Sequence, residues 1–437
     1  MARVVVIGGG LGGLASAARL AKLGHAVSLV EASGALGGAL RATEVDGHRW
    51  AATSTLLPAV LRDLFRKSGR PLERELELEP LEVVRQHHFP DGTTIRLPGG
   101  SRGAQLRAVE SLGAGLGQRW AAFVDDLGSD WELVRRGYVE QPWDPTTGPD
   151  RLSRRLATRA TVHRRARPLG DDRLRALATH PLGAAGQDPR RVPAWMAVWP
   201  FIEQRFGGWR IVGGTPALAE ALAARLRTRR VEVVLDTRAT DLVIRGGRVA
   251  AVDTDGGPLD ADAVVCAVDP HRLPVLAPYV ARTRVVTPPT LVHLVLDGTD
   301  AGDPDASVGQ TVWHGAPDIV VRPGLTAPEG TTPVTLETFW PGRSRQDPVD
   351  ALAARGWDVR DRILLRVEER PADQVQRWSG SPYGTRWQGR ATVRHRLGPA
   401  TPLAGVYAAG AHATPGADLP FVGLSGALVA QALGPAN

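Results

Sequence analysis

Lysine is nearly missing from this chain of 437 residues: apart from Lys22 and Lys67, all of its 53 basic residues are arginine. Beside abundant alanine, glycine and proline, that imbalance reads as GC-rich codon usage rather than as function. The net charge of +7 and the isoelectric point near 10.3 are spread among acids, with no basic tail. This argues against a nucleic-acid binder and leaves peripheral contact with an anionic membrane surface open. Cys266 stands alone, so no disulfide framework exists and a reducing, cytoplasmic setting is expected. No H-E-x-x-H and no paired C-x-x-C occurs, so no metal site is indicated. No apolar run approaches the ~18 residues of a spanning helix. With residues 4–7 already in a strand, a chain without a signal peptide is expected.

What is present is concentrated at the start, MARVVVIGGGLGGLASAARLAKLGHAVSLVE. Residues 4–7 are a short β-branched run suited to a buried parallel strand. Gly8, Gly10 and Gly13 follow at once as G-x-G-x-x-G. Residues 14–23 have helical spacing, Gly24 ends them, and residues 26–30 are the next strand. Glu31 closes that strand about 20 residues after the glycines, where a ribose hydroxyl needs an acceptor. The glycines let the backbone approach a pyrophosphate, and the helix N-terminus offers it unpaired N–H groups and partial positive charge. Gly34, Gly37 and Gly38 come directly after the acid and let the chain cross the pyrophosphate a second time. An NAD site ends its signature at the acid; a second glycine pair points to FAD.

The rest reads as interwoven. The chain is too long for one simple domain, and at 43% hydrophobic it has ample core. Residues 81–97 read as a hairpin turning at Asp91-Gly92. Amphipathic helices are expected over 104–131 and 151–179, with a Pro- and Gly-rich break at 141–149. Gly213, Gly214 and Pro216 precede a helix over 217–226; strands and a hairpin follow. Residues 261–270 are a buried strand ending in a turn, and the last block reads as strand, glycine loop and helix. The expected fold is α/β. A discontinuous Rossmann-type FAD-binding domain (1–75, 207–286 and 394–437) is interleaved with an α+β substrate domain (76–206 and 287–393).

These blocks resemble the FAD-dependent amine oxidase and phytoene desaturase superfamily, and within it the phytoene desaturase branch of carotenoid desaturases, isomerases and saturases. The resemblance rests on the N-terminal unit, the QDPRR stretch at 187–191, PFIEQRFGGW, the strand-Gly-Gly-helix at 211–222, ADAVV-x-x-x-DP, and P-G-x-x-x-P-x-V-x-x-S-G at 415–426. It implies roles by position. Gly8, Gly10, Leu11, Gly12 and Gly13 would hold the FAD pyrophosphate, and Glu31 with Ala32 the adenosine ribose. Gly37, Gly38, Leu40 and Arg41 would follow the phosphates and ribityl chain. Thr53, Ser54, Thr55 and Leu56 would run under the flavin ring. Ala239 would meet the adenine, and Gly410 and Ala411 the ribityl phosphate. Pro420, Phe421 and Val422 would start a helix aimed at the pyrimidine edge, where reduced flavin carries negative charge.

The chain also departs from that pattern. Ala39 replaces the usual arginine after the glycine pair, with Arg41 as the substitute. Ala51, Thr53 and Ser54 stand where an aspartate and a Gly-Pro are usual, and residues 413–418 replace T-H-P-G-G-G. Asp418 thereby adds a carboxylate, the candidate catalytic acid or base, with a helix N-cap or an exposed loop acid as its alternative role. The resemblance implies an FAD-dependent oxidoreductase that dehydrogenates a C–C bond of an apolar polyene or terpenoid-like substrate, with FAD held non-covalently. Amine oxidases of this superfamily place a mid-chain lysine beside the flavin; nothing after Lys67 is lysine, which disfavours amine or amino-acid oxidation. Redox-neutral isomerisation, saturation, and a non-catalytic escort role like that of Rab GDP-dissociation inhibitors are the other readings. Trp195, Trp199 and Trp209 suit a long apolar substrate, membrane contact or core packing. Glu203 and Arg205 suit an internal ion pair or a polar substrate anchor. Tyr383 suits a ring pocket or a packed turn. His412 reads as a satisfied loop histidine and Cys266 as core. Adjacent His87 and His88 must face opposite sides of one strand.

Overall fold

The computed structural model describes residues 1–143, 150–298, 307–339 and 346–436; the expected break at 141–149 falls mostly outside them. Two sheets organise the chain. The first is parallel, its strands in the order Glu232–Val234, Ala26–Val30, Arg3–Ile7, Ala263–Cys266, Val406–Ala408. Val4, Val5, Val6 and Ile7 are all buried in its central strand, as a strand covered on both faces requires. Val4 and Val6 meet Leu14, Leu218 and Val429 of three covering helices, Leu11–Lys22, Gly214–Thr228 and Leu419–Leu433. Val5, Ile7 and Cys266 meet Leu242 and Val252. These belong to an antiparallel meander of Ala239–Arg245, Arg248–Thr254 and Leu259–Asp260. Cys266 is thus a core residue, its thiol pushed up to about 12 by burial.

The second sheet is mixed and has seven strands, in the order Ile363–Glu369, Thr290–Asp297, Thr331–Thr338, Ile319–Pro323, Val308–Trp313, Val83–His88, Thr94–Pro98. The hairpin at its edge turns where expected: Asp91 accepts from the Thr93 N–H at 2.9 Å and Gly92 has φ +82°. Val308–Trp313 pairs in parallel with Val83–His88, so the sheet closes only when the chain returns to it. A short sheet of Ser54–Thr55, Gly208–Ile211 and Leu78–Leu81 lies between the two large ones in sequence.

The helical layer departs from expectation. Instead of one helix over 104–131 there are two, Arg102–Glu110 and Leu116–Val134, parted where Gly115 takes φ +77°. Instead of one over 151–179 there are three, Arg151–Leu156, Val162–Ala166 and Asp172–Gly183. Asp150, Thr161 and Asp171 cap their N-termini. Each cap offers the backbone a local start that apolar periodicity does not register.

The tryptophans are mostly packing. Trp195 sits edge-on to Tyr138 and Trp387, and Trp199 lies against Phe421, both within one buried cluster. Trp209 is covered by the Arg62 guanidinium, 5.2 Å from the ring. Of the three readings, core packing is the one that Trp195 and Trp199 take among the described residues. Among the described residues no helix is long and apolar enough to cross a membrane.

Candidate functional site

The glycine turn leads from strand Arg3–Ile7 directly into helix Leu11–Lys22. Gly10 is the N-cap, extended and without a side-chain cap, so the first N–H groups of the helix are left for another partner. A Cβ on Gly13 would lie 1.8 Å from the Gly8 carbonyl oxygen, and one on Gly12 would lie 2.6 Å from the Gly410 Cα. Those two glycines are required by backbone packing. Gly10 differs: a Cβ there would meet nothing within 4 Å. That open space above a helix N-terminus is what a pyrophosphate needs. The second glycine pair docks onto the first. The Gly37 N–H donates to the Gly9 carbonyl at 2.8 Å, and Gly38, with φ +52°, is held close to the Gly10 Cα.

Glu31 braces this cradle. Its carboxylate accepts from the Gly9 N–H at 2.7 Å, the Ser33 N–H at 2.8 Å and the Ser33 hydroxyl at 2.8 Å. Ser33 fills both lone pairs of one oxygen, and one lone pair remains for a further donor on the oxygen that accepts from Gly9. Ala32 follows half-buried, and Leu40 is in the core below. The Arg41 side chain is exposed and makes no hydrogen bond or ion pair among the described residues, so its donors are available to phosphate. The Thr237 N–H donates to the Glu31 carbonyl at 3.0 Å, which brings Ala239, at the start of its strand, near the acid. Ser54 and Thr55 pair with Arg210 and Trp209. Thr53 accepts from the Ile211 N–H, and Leu56 accepts from the Thr55 hydroxyl at 3.0 Å.

The last block closes against this set. The Gly410 N–H donates to the Ser425 hydroxyl at 2.8 Å. A Cβ on Gly384 would lie 2.0 Å from the Ala411 carbonyl oxygen, so residues 383–384 are pressed onto the same loop. Helix Leu419–Leu433 lies against the first helix at Gly426, where a Cβ would come within 2.9 Å of the Ala15 Cβ. Pro420 sits in its first turn and Val422 is half-buried. The Phe421 side chain turns into the core, so what these residues offer a ligand is the helix N-terminus. Together the glycine cradle, the braced acid, the free arginine and this second helix N-terminus fit an FAD-sized dinucleotide.

Asp418 does not act as the cap of that helix: φ is +79°, and its side chain makes no capping hydrogen bond. It has solvent-accessible surface, yet protein surrounds it closely enough to push its carboxyl up to about 6, against the opposing pull of Arg85 and Arg322. With Arg85, Arg322 and Tyr383, whose charges act on it or feel its own, it marks the candidate cleft. Around it stand residues that sequence reasoning passed over. Arg85 forms a buried ion pair with Glu203, so the expected Glu203–Arg205 pair is not formed and Arg205 is exposed. Helical spacing of two residues puts Arg205 on another face. Burial and the charge of Arg322 lower Arg85 to about 10. Arg322 pairs with Glu337 at 2.8 Å, and Glu337 also accepts the Tyr383 hydroxyl at 3.2 Å. Burial and the Glu337 charge hold that phenol well above its ordinary value. The only sequence signal for this set was charge at inward positions of strands that alternate as core, and it needs the register to be read.

His87 and His88 do face opposite sides. His88 stacks on Trp313 with ring centroids 3.8 Å apart. His87 is buried with His314, 3.0 Å between nitrogens, and with His180. Burial holds His180 down at about 4, and His87 well below its ordinary value. Burial would raise Asp318, but His180 and His314 outweigh it and keep its carboxyl low. Among the described residues no group of three or more His, Cys, Asp or Glu is placed to hold a metal ion. His412 is half-satisfied in its loop: Nε2 lies 3.0 Å from the Ser381 carbonyl, while Nδ1 is buried without a hydrogen bond, 3.7 Å from Asp269. A surface pocket of about 380 Å³ among Asp126, Asp130, Arg155 and Arg165 shares no residue with the cleft, and these charges are already paired with one another.

The model of a family described as flavin containing amine oxidoreductase matches residues 11–434. A zeta-carotene-forming phytoene desaturase of Myxococcus xanthus is 32% identical over 283 residues, which is 61% of this chain and 53% of that protein. A neurosporene-forming phytoene desaturase of Rhodobacter capsulatus is 31% identical over 284 residues, covering 62% and 53%. The match thus spans about half the length of these curated relatives. Cyclohexylamine oxidase from Brevibacterium oxydans shares the fold, with a TM-score of 0.68 at 17% identity over 99% of this chain and 98% of that one.

Proposed function

We propose that this chain, which belongs to the flavin containing amine oxidoreductase family and takes FAD as its cofactor, dehydrogenates a carbon–carbon bond of a polyene- or terpenoid-like substrate. Likeness to desaturases supports the reading from outside. The observation that carries it from within is the position of the lysines. Lys22 ends the first nucleotide-binding helix and Lys67 is exposed on helix Pro58–Ser68, so no ammonium is available at the cleft for a lysine-dependent amine oxidation.

Bound FAD supplies a two-electron acceptor that takes one hydrogen as hydride. The chain supplies the rest. Gly8, Gly10, Gly12 and Gly13 with the N-terminus of helix Leu11–Lys22 would hold the pyrophosphate, Glu31 the ribose, and Arg41 a phosphate. The helix beginning at Leu419 would stabilise negative charge at the ring edge. Asp418 would take the second hydrogen as a proton, since a carboxylate poised near pH 6 is ionised yet basic at neutral pH. Anaerobic bleaching of the flavin absorbance against polyenes, terpenoids and amines tests the reading. Bleaching by members of the first two groups supports it; bleaching by amines alone contradicts it.

A further inference from the structure

We infer that the cleft takes an oxygenated substrate, whose carbonyl oxygen is held by the Arg322 guanidinium beside Asp418, rather than a bare hydrocarbon. This rests on the polyene or terpenoid reading above and narrows it.

The register of the seven-stranded sheet carries the argument. Val320 lies opposite Glu337, Arg322 opposite Thr335, and His293 opposite Thr335 on the other side. Cross-strand partners share a face, so Arg322, Glu337 and His293 stand together. Val312, opposite Val320, carries the same face across to His87 and so to Arg85 two residues earlier. The reverse face holds Val292, Leu294, Ile319, Val321 and Leu336 in an apolar core with Val349 and Leu352. The sheet therefore has one apolar face and one charged face, and Arg85 and Arg322 on the charged face act electrostatically on Asp418.

The charges on that face are unequally satisfied. Arg85 is paired with buried Glu203. Arg322 has Glu337 as its one partner among the described residues and keeps 33% of its side chain exposed, so further N–H donors face open space. The Asp418 carbonyl accepts from the Val422 N–H at 2.9 Å, but its carboxylate has no hydrogen-bond or ion-pair partner among the described residues. A hydrocarbon entering here would strip water from a guanidinium and a carboxylate and return no hydrogen bond. A substrate carboxylate would be set against Asp418, and an ammonium against two guanidiniums. A neutral acceptor suits the site: it takes the free donors of Arg322 and adds no charge. A carbonyl in that position also acidifies the neighbouring C–H, which gives a base at Asp418 something to remove.

The test uses FAD-loaded protein titrated with retinal, retinol and the hydrocarbon of the same carbon skeleton, read by tryptophan quenching and by the absorption band of retinal. Retinal should bind at least tenfold more tightly than the hydrocarbon, with retinol between them and the retinal band shifted to the red. The double replacement Arg322→Gln with Glu337→Gln removes both charges together, because Arg322→Gln alone would strand a buried carboxylate. It should abolish the band shift and the retinal preference while hydrocarbon affinity stays within threefold. The ranking in the unaltered protein needs no variant. Hydrocarbon binding as tight as retinal overturns the inference and leaves the polyene reading standing. Retinol binding more tightly than retinal overturns the carbonyl assignment. No binding by any of the three overturns the inference and the reading beneath it.

Discussion

In the parallel sheet, Val4 to Ile7 are buried on both sides and everything chemical happens at the strand ends, through backbone N–H groups and glycines that leave room. In the seven-stranded sheet the chemistry sits on the strands themselves, as Arg85, Arg322 and Glu337 on one face. The first arrangement needs absence of side chain; the second needs charges brought from distant stretches and paired. Damage to the first should therefore act through space and damage to the second through stranded charge.

The sharpest break of that comparison lies within the cradle. Gly13→Ala drives a methyl into the Gly8 carbonyl, and the loop must move; FAD affinity should fall by more than about a hundredfold, roughly 2.7 kcal/mol, with loss of thermal stability in the FAD-free protein. Gly10→Ala should leave the FAD-free protein as stable as the parent and weaken FAD alone, because its methyl enters only the empty space. Equal thermal melts for both variants would contradict the backbone account.

On the other sheet, Glu203→Ala strands the buried Arg85 guanidinium. Removing one partner of a buried pair costs about 3–5 kcal/mol, to be read as a shift in urea midpoint at unchanged slope. A shift below about 1 kcal/mol would mean that water reaches Arg85.

Glu31→Ala joins the two kinds of effect. Loss of the charge-assisted bonds should weaken FAD by about ten- to a hundredfold, roughly 1.5–3 kcal/mol. Because Glu31 also braces Gly9 and Ser33, the FAD-free protein should be less stable as well. An unchanged FAD dissociation constant would remove this acid from the ribose site.

The smallest effect is on pH. His180 is held down at about 4, so between about pH 6.5 and 4 the unfolded chain binds more protons at this position than the folded one; His87 is shifted in the same direction. For His180, stability then falls with acidification by roughly 1–2 kcal/mol from pH 7 to 5. Asp418, raised to about 6, has the opposite sign: its proton favours the folded state between pH 4 and 6. His180→Asn should flatten the acid limb of urea unfolding and Asp418→Asn should steepen it.

The difference between the sheets also explains what could be read without coordinates. Strand, glycine turn, helix, strand and acid lie within residues 1–31, so local spacing reveals the cradle and its ligand class. Gly37 docking on Gly9 is nearly as local. Arg85, Arg322 and Glu337 came onto one face only through a register joining residues 83–88 to 308–338, and Glu203 reached Arg85 from the helix Trp199–Phe206, neither of which a local pattern encodes. Sequence proximity suggested Arg205 for Glu203, and helix geometry decided otherwise. The tryptophans stayed open for a related reason: aromatic density marks a core as readily as a substrate channel.

Asp418 is where the two regions act on one group: it precedes helix Leu419–Leu433 and feels Arg85 and Arg322 of the charged sheet face. The rate of anaerobic flavin reduction by a polyene or terpenoid substrate, measured from pH 5 to 8 in the parent and in Asp418→Asn, addresses that junction directly. The parent rate should rise through an apparent pKa near 6. The variant should keep its FAD, lose that rise, and run about 10²-fold slower at pH 7.5. A variant rate within about threefold of the parent, with the same rise across pH 6, would contradict the account and remove Asp418 from the chemistry.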